Sequence, residues 1–189
     1  MPDLSLRRAN SLSHLAQGVR KVPEGSLAIL PDAAKLIFRG RSLAVQAVGN
    51  AFGTVLPMEA CRFASTNQRT AYWLGPDEWM LHAVAESPAT LGASLEKAVA
   101  GHPHAIVDVS HRSDAFALSG SRCEYLLNHG CPLDLSIDAF PVGMCTRTVF
   151  AKAAILLSRP APEIFHIDVW RSFAPYVWQL LDEARREFA

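Results

Sequence analysis

Ser110, His111, Arg112 and Asp114 bring a hydroxyl, an imidazole, a guanidinium and a carboxylate into one short link between two apolar runs, Ile106–Val109 and Ala115–Leu118. Nucleophile, base and charge stabiliser are the parts of an acyl-transfer site. Neighbours on an extended chain point to opposite sides, however, so this spacing does not preassemble one. The plainer reading is a polar crossover in which His111 and Arg112 bond backbone. His102 and His104 flank Pro103 and offer two imidazoles to a metal, but no H-E-x-x-H or Cys/His set completes a coordination sphere. They read as a solvated loop between a helix and a strand. Ser119-Gly120-Ser121-Arg122 is the best anion spot, with helix-start donors beside a guanidinium. Ser121 followed by Glu124 also spells a capping box, which explains the same residues without a ligand. Gly49 and Gly53 read as helix terminators; G-x-G-x-x-G and Walker A patterns are absent. No catalytic, cofactor-binding or metal-binding residue is assigned.

These residues sit on a unit that occurs twice. After the two runs at 106–118, Gly120 allows a sharp turn, and a helix through Cys123, Leu126 and Leu127 stops near His129-Gly130, before Pro132. The same order appears earlier: a strand at Leu36–Phe38, Gly40, a helical stretch over Leu43–Val48, then Gly49, Gly53 and Pro57. Each copy continues into a β-rich segment and a closing amphipathic helix. In the first copy the segment holds Arg62–Thr66, Thr70–Gly75 and Trp79–Val84, with Gly75–Glu78 as a hairpin turn. Its helix opens at Ser87-Pro88, a cap followed by proline at the first helical position, and runs to about Ala100. In the second copy the strands are Cys145–Arg159 and Ile164–Trp170. The expected fold class is α+β, a tandem duplication of ββαββα-like halves at about 26–104 and 105–189 within one domain. Residues 1–25 read as a tail that packs on a neighbour or stays mobile.

Charge excludes some partners. With 18 basic and 18 acidic residues the formal net charge is +0, which steers toward neither nucleic acid nor an anionic membrane. The longest uncharged apolar run, Ala153–Leu157, is far too short to span a bilayer. Arg7-Arg8 is not followed by the apolar core of an export signal, and Cys61, Cys123, Cys131 and Cys145 lack paired C-x-x-C spacing. A cytoplasmic protein with reduced thiols is expected.

The aromatics point toward a protein partner. Trp73 and Trp79 read as core. On the last helix Phe173, Tyr176, Val177, Leu180, Leu181 and Ala184 form one apolar stripe, which leaves Trp178 on the outer face. Trp178 there is either a partly covered surface residue or an anchor for a partner, since interface hot spots are enriched in aromatics.

Five ordered blocks give the chain a family resemblance. WLGPDEWML at Trp73–Leu81, VDVSHRSDAFALSG at Val107–Gly120, LLNHGCPLDL at Leu126–Leu135, FPVGMCTRTVFAKAAILL at Phe140–Leu157 and FHIDVWRSFAPYVWQLL at Phe165–Leu181 together resemble the gamma subunit of heterotetrameric sarcosine oxidase. The resemblance covers residues 27–187. It implies a fold similar to the folate-binding domain of glycine-cleavage aminomethyltransferases, and a structural role beside alpha, beta and delta subunits. In that family alpha carries NAD and the tetrahydrofolate site, beta carries FAD and the sarcosine site, a covalent FMN lies between them, and delta binds zinc. The complex oxidatively demethylates sarcosine to glycine with hydrogen peroxide, and the one-carbon unit passes to folate or leaves as formaldehyde. The gamma chain brings no established cofactor; as a subunit it is expected to carry an apolar partner interface near Trp170, Arg171 and Trp178, which an isolated chain exposes or covers by self-association. Aminomethyltransferases position folate with an acidic residue, but Asp108 and Asp114 lack the surrounding motif, so neither is assigned that role. A free-standing folate-binding or aminomethyl-transferring protein is the alternative implied by fold similarity.

Overall fold

The computed structural model describes residues 10–41 and 43–189. In chain order the elements are α1 (Ser13–Ala16), β1 (Ser26–Ile29), β2 (Ala33–Gly40), α2 (Leu43–Phe52), β3 (Phe63–Thr66), β4 (Arg69–Gly75), β5 (Glu78–Val84), α3 (Pro88–Ala98), β6 (His104–Asp108), β7 (Ser113–Ser119), α4 (Cys123–Asn128), β8 (Cys145–Phe150), β9 (Ala153–Ala161), β10 (Ile164–Trp170) and α5 (Ala174–Ala184). The α+β class and the doubled order are as expected. Each half is one strand richer, ββαβββα: β1 precedes the expected first strand of the first half, and in the second the stretch 145–159 breaks at Ala151, whose φ of 51° reverses the chain between β8 and β9.

The strands form two antiparallel five-stranded sheets, ordered β1-β7-β10-β9-β8 and β3-β4-β5-β2-β6. The halves have traded edge strands. β1 belongs in sequence to the first half but pairs with β7, Leu27 opposite Leu118; β6 opens the second half but pairs with β2, Ile37 opposite Val107.

Side-chain alternation sorts each strand between two faces. Leu36 and Phe38 of β2 face α2 and α3 in a cluster with Val48, Phe52, Trp79 and Leu95. Phe165, Ile167 and Val169 of β10 face the other helical layer, with Phe116, Leu126, Val177 and Leu181. The opposite faces of the sheets meet through Tyr72, Met80, Cys145 and Leu156. Helices thus lie outside, and the sheets lie back to back.

The start of the described chain is no tail. Leu12 is fully buried in the β7/β10 core and Val22 is 2% exposed. Ser11 donates from its backbone N–H (3.0 Å) and its hydroxyl (2.5 Å) to Asp114 Oδ2, and Arg185 donates to the Arg20 carbonyl at 2.6 Å. These anchors escape a periodicity search because they are isolated residues on irregular backbone. Residues 1–9, with Arg7-Arg8, lie outside the described residues.

Two helix ends illustrate where local signals hold. Ser87 caps α3 by accepting from the Thr90 N–H at 3.5 Å, with Pro88 in the first turn, as its sequence announces. The Ser121/Glu124 capping box does not form. α4 begins at Cys123 without a side-chain cap, because Arg159 captures the Glu124 carboxylate at 2.6 Å. Arg159 is 2% exposed and also donates to the carbonyls of Leu135 (2.8 Å) and Phe140 (3.1 Å), tying the loop after α4 to β9. A buried guanidinium needs its donors met, and this demand outweighs a local cap.

Candidate functional site

Ionisable side chains converge where the two sheets meet. Lys35 interrupts the apolar run of β2 and alternation turns it away from the helices, so it emerges between the sheets, 3% exposed. Its ammonium donates to Asp168 Oδ2 on β10 at 2.5 Å, and to the carbonyl and hydroxyl of Ser113 on β7, each at 3.1 Å. Three donors meet three acceptors, which is what a buried ammonium requires. Beside the pair, His82 Nε2 of β5 stands 3.8 Å from Asp168 Oδ2, and the His82 ring packs edge-on to Tyr72 at 5.0 Å. Tyr72, His82, Ser158, His166 and Asp168 line a cavity of about 20 Å³. That is room for a water and far below a ligand pocket.

Burial governs the electrostatics here. Desolvation pushes His82 down to about 4; the Asp168 carboxylate opposes it, while Lys35 and His166 add to the depression. Burial lowers His166 and raises Tyr72. Both imidazoles are therefore neutral in the folded protein near pH 7. An unfolded chain binds protons on them below its ordinary histidine value near 6.5, so their contribution to stability is fully present above that pH. It is lost as pH falls toward 4. His82 alone accounts for about 3 kcal/mol over that window. Urea midpoints at pH 7.5 and 4.5 should show this loss, and His82→Phe should flatten the dependence; a wild-type profile flat between these pH values would contradict the assignment. The cluster is a bolt between the lobes, with no cavity for a substrate.

The sequence-predicted residues fall elsewhere. In the crossover, Ser110 is buried, accepting from the Lys35 N–H at 2.9 Å and donating to Asp108 Oδ1 at 2.6 Å. Asp114 is spent on Ser11, with Arg171 Nε at 3.7 Å. Asp108 and Asp114 thus serve the backbone of their own surroundings, while His111 and Arg112 are exposed. The fold does not bring the four together as a triad. His104 donates from Nδ1 to the His102 carbonyl (2.6 Å) and from Nε2 to Glu96 (2.7 Å), which raise its pKa, and no group of three metal-ligating side chains occurs among the described residues. At the Ser119–Arg122 turn Gly120 has φ +129°, and a Cβ there would stand 2.5 Å from the carbonyl oxygens of Pro23 and Glu24. The Arg122 N–H donates to Glu24 at 2.8 Å. Carbonyls occupy the place where an anion would sit. Lys35, Asp168, His82 and His166 were missed; the available signal was a charge inside an apolar strand, as in AAKLIF and FHIDVW.

The candidate interface divides. Trp178 is 2% exposed and packs edge-on to Phe116 at 5.2 Å, so its placement on the outer face is corrected: the buried stripe of α5 is Ala174, Val177, Trp178 and Leu181. Helical spacing admits two overlapping stripes, and the one carrying the largest apolar side chain turns inward. Phe173 (40%) and Leu180 (38%), expected inside, lie toward solvent. Trp170 is 53% exposed at the end of β10, with the Arg112 guanidinium 5.9 Å from its ring. Arg171 follows, bonded through its N–H to the Arg112 carbonyl at 3.1 Å. Phe173 and Tyr176 pack edge-on at 6.4 Å. An exposed aromatic face with guanidinium rims is chemistry suited to a protein surface.

The sarcosine oxidase, gamma subunit family profile matches residues 38–187. The sarcosine oxidase subunit gamma of Corynebacterium sp. (strain P-1) is 34% identical over 144 residues, covering 76% of this chain and 70% of that protein. The subunit gamma of Arthrobacter sp. is 30% identical over 191 residues, covering 98% and 93%. Among solved structures, a chain of the heterotetrameric sarcosine oxidase from Corynebacterium sp. U-96, in complex with pyrrole 2-carboxylate, superposes with a TM-score of 0.87 at 28% identity over 96% of both chains. The glycine cleavage system aminomethyltransferase T from Bartonella henselae matches at a TM-score of 0.63 and 17% identity, over 89% of this chain and 47% of that one, a likeness of fold alone.

Proposed function

The chain belongs to the sarcosine oxidase gamma subunit family, and from that premise we propose that it braces a heterotetrameric sarcosine oxidase without doing chemistry itself. The observation that carries the reading is the 0.87 superposition over 96% of a chain from such a complex. In this reading the companions are alpha, beta and delta subunits, which hold NAD, tetrahydrofolate, FAD, FMN and zinc. Together they oxidise sarcosine to glycine with release of hydrogen peroxide and formaldehyde or methylenetetrahydrofolate. The complex is cytoplasmic, and no helix among the described residues is long and apolar enough to cross a membrane. The two-sheet bolt supplies stiffness, and the Trp170 and Arg171 face supplies contact.

Co-expression with the three companion genes and size-exclusion chromatography tests this. The chain is expected to co-elute with flavin-bearing subunits. Trp170→Asp should weaken retention at least about tenfold, the scale of a hot-spot aromatic, while leaving the isolated chain folded. A wild-type chain that elutes apart from the flavin would overturn the reading, as would saturable tetrahydrofolate binding by the chain alone. Without partners, this face is expected to drive self-association.

A further inference from the structure

A second surface, on the other lobe, is built to receive something. Between the solvent side of α2 and the loop that follows lies a groove of about 670 Å³. Its lips are Val55 and Met58, 77% and 67% exposed, and Val45 lies on its floor, 8% exposed. Exposed aliphatic and thioether side chains on an unclosed groove are unusual for a surface with no counterpart, and methionine adapts to whatever it covers.

The groove is uncharged and rigid. Among the described residues ten line it and none of these is ionisable, in a chain of which 19% is charged. Charge depletion is the signature of the buried centre of an interface. Gln46 and Asn50, one helical turn apart, stand exposed along one wall, with amides that can pair with main-chain N–H and C=O groups. The Thr54 hydroxyl, on a residue 3% exposed, has no hydrogen-bond partner among the described residues. Behind the groove Arg69 donates to the Phe52 carbonyl at 2.8 Å and grips Glu86 through two bonds of 2.6 and 2.8 Å, fixing the helix end. A preformed wall loses little freedom on binding.

We propose that this groove is a second docking site of the gamma chain, occupied by an uncharged apolar segment of a companion subunit whose backbone pairs with Gln46 and Asn50. The match of an unionised lining to an unionised occupant selects this chemistry: a lysine, arginine or carboxylate entering here would lose its hydration and find no counter-ion. The inference rests on the proposed assembly role and deepens it, because two faces on different lobes let one small chain hold two surfaces at a fixed distance.

The test uses the co-expressed complex. Val55→Asp and Met58→Glu, separately and together, place a charge at the lips, where exposure leaves the fold intact; circular dichroism and the thermal midpoint of the isolated variants confirm that. The double variant should dissociate from the complex at least tenfold faster, and Met58→Leu should retain it. Normal retention of the double variant overturns the groove proposal, and the Trp170→Asp arm then shows whether the assembly reading stands without it. Loss of self-association by the isolated double variant, with the complex intact, also overturns it, since the occupant is then a second copy of this chain.

Discussion

Lys35→Met is expected to destabilise the protein by about 3–5 kcal/mol, because it strips the counter-ion from a carboxylate that stays buried between the sheets. Asp168 has a side chain only 10% exposed and, among the described residues, no other cation within bonding distance; His82, at 3.8 Å, is held neutral. The Ser113 carbonyl and hydroxyl lose a donor in the same step. Replacing both partners, Lys35→Met with Asp168→Leu, should recover most of the loss, since removing both charges also removes their desolvation cost. Urea denaturation of the two variants measures this. A single variant within 1 kcal/mol of wild type would show that the pair contributes no bolt.

The chemistry of the bolt was partly legible. Lys35 and Asp168 each stand as a charge inside a largely apolar strand, and period-two alternation already placed both away from the helix-facing residues. What could not be read was that they face each other, because 133 residues separate them and their meeting depends on which sheet each strand joins. The duplicated order of elements was plain from glycines, caps and periodicity. The exchange of β1 and β6 was hidden, since edge pairing is chosen by the tertiary fold rather than by the strand's own composition. The capping box failed for a similar reason: Glu124 had a distant competitor in Arg159. Trp170 ends a strand, where few neighbours cover it, and is 53% exposed.

Trp178→Ala is the second large effect, expected to cost about 3–5 kcal/mol as a buried aromatic truncation that leaves a cavity. The indole packs against Phe116 of β7 and lies in the cluster that holds α5 to its sheet. Its thermal midpoint should fall in the isolated chain, with no companion present. That outcome separates it from Trp170, whose replacement should alter assembly and spare the midpoint. An isolated Trp178→Ala chain as stable as wild type would return the side chain to the surface and contradict the packing.

The traded edge strands set a timetable for biosynthesis. β1 leaves the ribosome before every other strand described, yet its pairing partner opposite Ser26 is Ser119, and the sheet they share is completed only after β10 has emerged. The amino-terminal lobe likewise waits for β6 to close its last hydrogen-bonded edge. That sheet can close once β6 is out, while the other stays open until β10 follows, so β1 and the later strands remain dependent on shielding until then.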